Sequence, residues 1–315
     1  MPSKTFYVYV VFLILVLAGA PAWAQGPGGG PGGPGQGPGQ GPPEDFPGFA
    51  GLPVERNLVL PQVALGQGVV TTIVLSNMGL GQRMPWLPQP EDIALQGTIH
   101  FFDPEGEALT VIPEGGQPTQ AVAFELGAAE TVFLALTADA PLQTGWALID
   151  VEDGDSNWGF MDGRMPFRGE RLMATAYYTI EDGNGVLTQV GVVPATFERG
   201  LFQHLLMPAQ FGSGLNTGVA LVNVDDEALE AELVLRSGDR SVQLTTSIML
   251  QPGQQRARFI DELFPGLEDG FQGVLEVRSG QSGLVALGLL SNQGILTSVP
   301  TRHFGVWTQN GPMMP

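Results

Sequence analysis

From Leu58 onward the chain is written in short runs of Val, Ile, Leu, Thr and Phe. Gly, Pro, Asp or Asn interrupts them roughly every 8–12 residues, a spacing that predicts many short strands and few helices. Within Val69–Asn77 (VVTTIVLSN), Thr71, Ile73 and Leu75 share one face. In the next run Leu95, Ile99 and Phe101 point one way and Gln96, Thr98 and His100 the other. Such period-2 alternation describes half-buried antiparallel strands. Strands are expected near residues 69–77, 94–102, 119–126, 130–137, 145–151 and 173–180. Turn residues punctuate them at Asp103-Pro104-Glu105-Gly106, Asp182-Gly183-Asn184-Gly185 and Asn292-Gln293-Gly294.

The pattern repeats. Thr71, Leu75 and Asn77 recur as Thr217, Leu221 and Asn223, and Leu60-Pro61 is echoed by Met207-Pro208. Ile99–Phe101 matches Leu233–Leu235, Gly145–Ile149 matches Gly273–Val277, and Val186-Leu187-Thr188 matches Ile295-Leu296-Thr297. Each copy is long enough to bury its own sandwich core. The fold expected is all-β, two tandem Ig-like antiparallel β-sandwich domains at residues 58–197 and 198–305, with a tail at 306–315.

A Leu-Pro entry strand, a T-x-x-x-L-x-N strand, a Gly-Trp-Ala strand after Leu-Gln-Thr (Leu142–Ala147), Phe259–Gly266 and a closing Leu-Thr…Val-Pro strand together resemble the tandem Ig-like repeats of secreted environmental-bacterial proteins. The resemblance spans about residues 58–301 and implies the sandwich fold. That family has no settled activity, so it implies no site residues.

Ahead of the repeats lie two segments of different texture. Lys4, an apolar run over residues 6–17 and Ala22-Trp23-Ala24 fit an export signal over residues 1–24, cut before Gln25. Its apolar core is short for a membrane span, and no comparable run follows. Residues 25–43 contain only Gly, Pro and Gln, and the triplet glycine register is lost at Pro38, which excludes collagen. Residues 25–57 are therefore expected to be a disordered, flexible Gly/Pro-rich linker. An exported destination follows: periplasm, cell surface or medium.

Composition narrows the chemistry. With 13 basic and 32 acidic side chains the net charge is −19, which disfavours nucleic acid and anionic membranes as partners. No Cys is present, so disulfides, thiolate zinc sites and Cys nucleophiles are excluded. Charged residues make up 14% of the chain against roughly 25% on average, with Gly, Gln, Thr and Asn carrying the polarity instead. No G-x-S-x-G, HExxH or P-loop motif occurs. His100 on a strand face, His204 between the repeats and His303 at the C-terminal edge are spaced for structural roles rather than for a metal. Asp153, Asp155 and Asn157 imitate the start of an EF-hand loop, making calcium the one cofactor to consider. Trp158, however, stands where that loop needs Gly, and Arg164 where it needs the bidentate Glu.

The first copy is the longer one. Between Asn77 and Phe101 it has 24 positions where the second has 12 between Asn223 and Leu235. This insertion, residues 80–93, carries Arg83 and Trp86; another, residues 152–171, carries Trp158, Phe160, Arg164, Phe167 and Arg168. Counting strands up and down puts both insertions at one end of the sandwich, where aromatic side chains flanked by Arg could stack on a glycan or clamp a protein. The expected function is that of a non-catalytic exported structural or adhesive module. A carbohydrate- or protein-binding module using those loops is the alternative, and a hydrolase the weaker third.

Overall fold

The computed structural model describes residues 58–66, 68–78, 94–152, 172–182, 185–192, 195–196, 203–293, 295–299 and 301–303. The fold is all-β and antiparallel, with one helical turn among the described residues. The first half comprises β1 (Leu58–Leu65), β2 (Val69–Asn77), β3 (Leu95–Phe102), β4 (Ile112–Pro113), β5 (Ala121–Leu126), β6 (Thr131–Thr137), β7 (Gln143–Val151), β8 (Leu172–Asp182), β9 (Gly185–Val192) and β10 (Ala195–Thr196). The second comprises β11 (Gln203–Gly212), β12 (Leu215–Asn223), β13 (Leu229–Ser237), β14 (Gln243–Leu250), β15 (Gln255–Phe259), α1 (Ile260–Leu263), β16 (Phe271–Ser279), β17 (Leu284–Asn292), β18 (Ile295–Val299) and β19 (Arg302–His303).

Both halves pair their strands in one order. The first forms the sheets β10-β1-β7-β3-β5 and β4-β6-β2-β8-β9. In the second, β19-β11-β16-β13-β14 and β15-β12-β17-β18 follow the same sequence of neighbours, and the hairpin pairing Phe211 with Asn216 joins them into one ladder folded on itself. Register agrees as well: Leu60 faces Ala147 as Met207 faces Leu275, and Ile99 faces Ile149 as Leu233 faces Val277. At Gly145 and Gly273 a Cβ would fall on the carbonyl oxygens of Phe102 and Arg236 respectively, so glycine is required at equivalent places. One correspondence shifts. Tyr178, equivalent to Leu290, faces Val190 where Leu290 faces Thr297, so Val190 rather than Thr188 matches Thr297. An irregularity between Ile180 and Glu181 displaces the register.

The recurring Thr and Asn do matching structural work. Thr71 Oγ1 donates to Ala64 O at 2.6 Å and accepts from Ala64 N at 3.2 Å, and Thr217 Oγ1 accepts from Gln210 N at 2.8 Å. Each threonine ties the hairpin at which its half changes sheets. Asn77 Nδ2 donates to Leu126 O and Gly127 O, and Asn223 Nδ2 to Leu250 O and Glu227 O, tying the sheets together at the opposite end. Buried amides persist where their donors are used.

Alternation locates the layers. β5 and β14 bury one face only, while β1 is buried along its whole length and β7 and β17 almost so. A strand is buried on both sides only if its sheet is covered on both. One face of β1, β3 and β7 lines the first half's core, and the other packs on the second half: Val59, Phe102, Trp146 and Leu148 meet Val222, Val224 and Val285. Ala220, Ala257, Phe259, Leu287, Leu289 and Leu296 of the second half belong to one continuous apolar cluster with the first half's core. A separate cluster, including Leu221, Leu233, Leu275 and Val277, fills the second half. Four layers are thus stacked, and the middle contact is a largely apolar joint that also buries Gln62 and Gln255.

Candidate functional site

The loop-bearing end of the first half is framed by four strand ends. Asn77 pairs with Leu172 where β2 leaves and β8 returns, and Gly97 pairs with Val151 where β3 begins and β7 ends. The Asn77 amide spans the two sheets there, and Glu152 N donates to Gln96 O at 2.9 Å. Both insertions therefore start and finish at one end of this half. The candidate ligand-binding residues Arg83, Trp86, Trp158, Phe160, Arg164, Phe167 and Arg168 lie outside the described residues, as do the calcium candidates Asp153, Asp155 and Asn157. Among the described residues no group of three or more His, Asp or Glu side chains is placed to hold a metal.

At the equivalent end of the second half the connections are compact. Asp225 Oδ2 accepts from Ser282 Oγ at 2.8 Å, and Asp225 N donates to Asn223 Oδ1 at 2.9 Å. The acidic run Asp225-Asp226-Glu227 therefore belongs to a self-bonded turn.

Sequence reasoning missed a second feature, on the outward face of β11, β13 and β16. Glu276, its side chain only 4% exposed, accepts from Arg278 Nε at 2.7 Å and meets Arg278 Nη2 and Arg236 Nη1, each at 2.5 Å. His204 Nε2 bonds the same carboxylate, so this histidine sits against β16 and not between the repeats. Arg278 also reaches Glu232 at 3.5 Å. Burial of Glu276 opposes ionisation, but hydrogen bonds and charge from Arg278, with Arg236 and His204, outweigh it and hold the carboxyl below its ordinary value. So engaged, it is a poor proton acceptor and a strong anchor for the two guanidiniums. His204, Arg236 and Glu276 are far apart in sequence and unremarkable singly, and only Arg278 lies near Glu276, two positions along the same strand face. The available signal was the repeat itself, which sets Glu276 where the first copy has Leu148.

His100 lies on β3, partly buried beside β7, and burial lowers its proton affinity although the charge of Asp150 raises it. Glu105 at the rim of the joint moves the other way: burial and neighbouring Asp103 raise its pKa against the pull of Arg256, 3.7 Å away. Glu105 thus faces the second half directly, while His100 is the cross-strand neighbour of Leu148 at the joint.

No family model matches the chain, and no curated protein matches it. A crystal structure of the 7S globulin of Momordica charantia aligns at 8% identity over 76% of this chain and 70% of that one, with a TM-score of 0.20.

Proposed function

We propose that the protein is an exported, non-catalytic structural or adhesive module whose folded part presents loops from one end of a stiff β stack. The observation that carries this is the joint: a buried, largely apolar contact between the halves, tied by Trp146 and Gln255, suppresses the hinge motion expected of tandem domains linked only by chain. A Gly/Pro/Gln segment ahead of residue 58 suits a spacer that sets such a body away from its point of export. Of the specific partners, an extracellular glycan or protein fits best, because both long insertions, which carry Arg83 and Trp86 in the first and Trp158, Phe160, Arg164, Phe167 and Arg168 in the second, are rooted at one end of the first half.

Two measurements test it. Fractionation of producing cells should find the chain outside the cytoplasm and beginning at Gln25; a cytoplasmic chain that retains residues 1–24 refutes export. The purified chain, screened against glycan and protein panels with and without calcium, should capture a ligand that Trp86→Ala and Trp158→Ala abolish while the melting temperature holds. Capture unaffected by both substitutions removes the loops from the function, and turnover of any panel member removes the non-catalytic assignment.

A further inference from the structure

The joint brings together the outward face of the first half's β1-β7-β3 sheet and the outward face of the second half's β15-β12-β17 sheet. Because both halves share one pairing order, the chain carries a second example of each face, left uncovered among the described residues. On the first half the counterpart of the inserting face is β6-β2-β8, where Val74, Phe133, Met173, Thr175 and Tyr177 occupy the places of Ala220, Ala257, Val285, Leu287 and Leu289. Phe133 and Met173 are 65% and 51% exposed there, so this face has kept apolar contact groups. Repeating the joint would seat it on the outward face of β11-β16-β13 in a second copy, and on through further copies, as a heterologous contact that does not close.

The receiving face differs at the positions that matter. Phe102 pairs with Trp146 in the first half, and Arg236 pairs with Val274 in the second. Leu148 is replaced by Glu276 and Asp150 by Arg278, while His204 completes the ring around the carboxylate. The stacked aromatic pair that forms the floor of the joint thus becomes an ion cluster around a buried carboxylate. A docking sheet would have to strip the remaining water from Arg236 and Arg278, whose side chains are 41% and 39% exposed, and it offers Val, Phe, Met, Thr and Tyr in return. Terminal units of stacked repeats need a polar outer face for the same reason.

We propose that the Arg236–Glu276–Arg278–His204 cluster is a stop, which ends at two units a face-to-face stack that would otherwise continue into a second copy of the chain. The full chain is expected to sediment as a monomer. The variant Arg236→Phe/Val274→Trp/Glu276→Leu, which restores the first half's residues, should self-associate at least on the order of 100-fold more tightly and form species beyond dimers. Adding Phe133→Asp and Met173→Asp to that variant should return it to a monomer. A folded triple variant that stays monomeric overturns the proposal, as does association indifferent to Phe133→Asp/Met173→Asp, or a native chain that already polymerises through Phe133. Should the triple variant lose the native circular dichroism, Arg236→Phe/Glu276→Leu takes its place, because it removes the buried carboxylate together with one of its arginines. Unchanged self-association of that folded variant overturns the proposal equally.

Discussion

The indole nitrogen of Trp146 donates a 2.9 Å hydrogen bond to the carbonyl oxygen of Gly253, 107 residues further along the chain. Trp146 is fully buried, and its ring stacks on Phe102 with centroids 4.4 Å apart. Gly253 adopts φ +72° in the turn before β15 and lies against Gly106, itself at φ +87°. Two left-handed glycines without side chains let the turns touch backbone to backbone, which brings the Gly253 carbonyl under the indole. An apolar ring and one directional bond thus set how the halves are oriented.

Trp146→Ala should cost about 3–5 kcal/mol, the usual range for deleting a large aromatic from a core. Trp146→Phe keeps most of the packing but leaves the Gly253 oxygen without its donor, for about 1–3 kcal/mol. Urea denaturation followed by circular dichroism measures both. Because the joint couples the halves, Trp146→Ala should also split a single transition into two; one transition with an unchanged m-value contradicts that coupling.

Gln255 makes a second polar tie. Its Nε2 lies 2.5 Å from Pro61 O, 2.9 Å from Gly145 O and 3.1 Å from Gln62 Oε1, while its backbone N donates to Pro104 O at 2.9 Å. Gln255→Leu matches its volume and strips a donor from three buried acceptors, so a loss of about 2–4 kcal/mol is expected, more than leucine's apolar gain returns. Thermal melts of the two proteins decide it; equal melting temperatures would show that the bonds carry no net stability.

Period-2 alternation located the strands well: residues 69–77, expected as a strand, form β2, and 94–102 differs from β3 by one residue. The T-x-x-x-L-x-N repeat was equally visible, since both copies need the same hydroxyl and the same amide. The joint was not. Trp146, Leu148 and Val222 read as ordinary strand residues, because alternation reveals that a face is buried but not against what. A run such as β1, apolar but for Gln62, was the one local hint of a sheet covered twice. The ion cluster was hidden for a related reason: partners on three strands converge only once pairing order is known. Pairing order depends on which connections cross between sheets, and no local pattern encodes that.

The two recurring asparagines should behave alike. Asn223→Ala removes the donor to Leu250 O at 3.2 Å and Glu227 O at 2.8 Å, and Asn77→Ala the donor to Leu126 O at 3.4 Å and Gly127 O at 3.0 Å. Each substitution is expected to cost about 1–3 kcal/mol. Hydrogen exchange should show faster opening confined to the mutated half's loop end, and protection lost evenly along both halves would disprove this local role.

Acid should weaken the fold in two steps of different origin. His100 has its pKa lowered from 6.5 by burial, partly offset by Asp150, so the unfolded chain takes up this proton more readily than the folded one. Its contribution is present in full above pH 6.5 and is lost as pH falls through the folded value. The Glu276 carboxyl has its pKa lowered from 4.5, because Arg278, Arg236 and His204 outweigh its burial; its contribution is present above pH 4.5 and is lost as pH falls through the folded value. Urea midpoints measured from pH 8 to pH 3 should fall first below pH 6.5 and again below pH 4.5. His100→Gln should flatten only the first fall. Glu276→Gln should flatten only the second and lower stability at neutral pH by about 2 kcal/mol, below the range for a buried pair because both arginines keep part of their water. If Glu276→Gln instead removed the first fall, that step would not belong to His100.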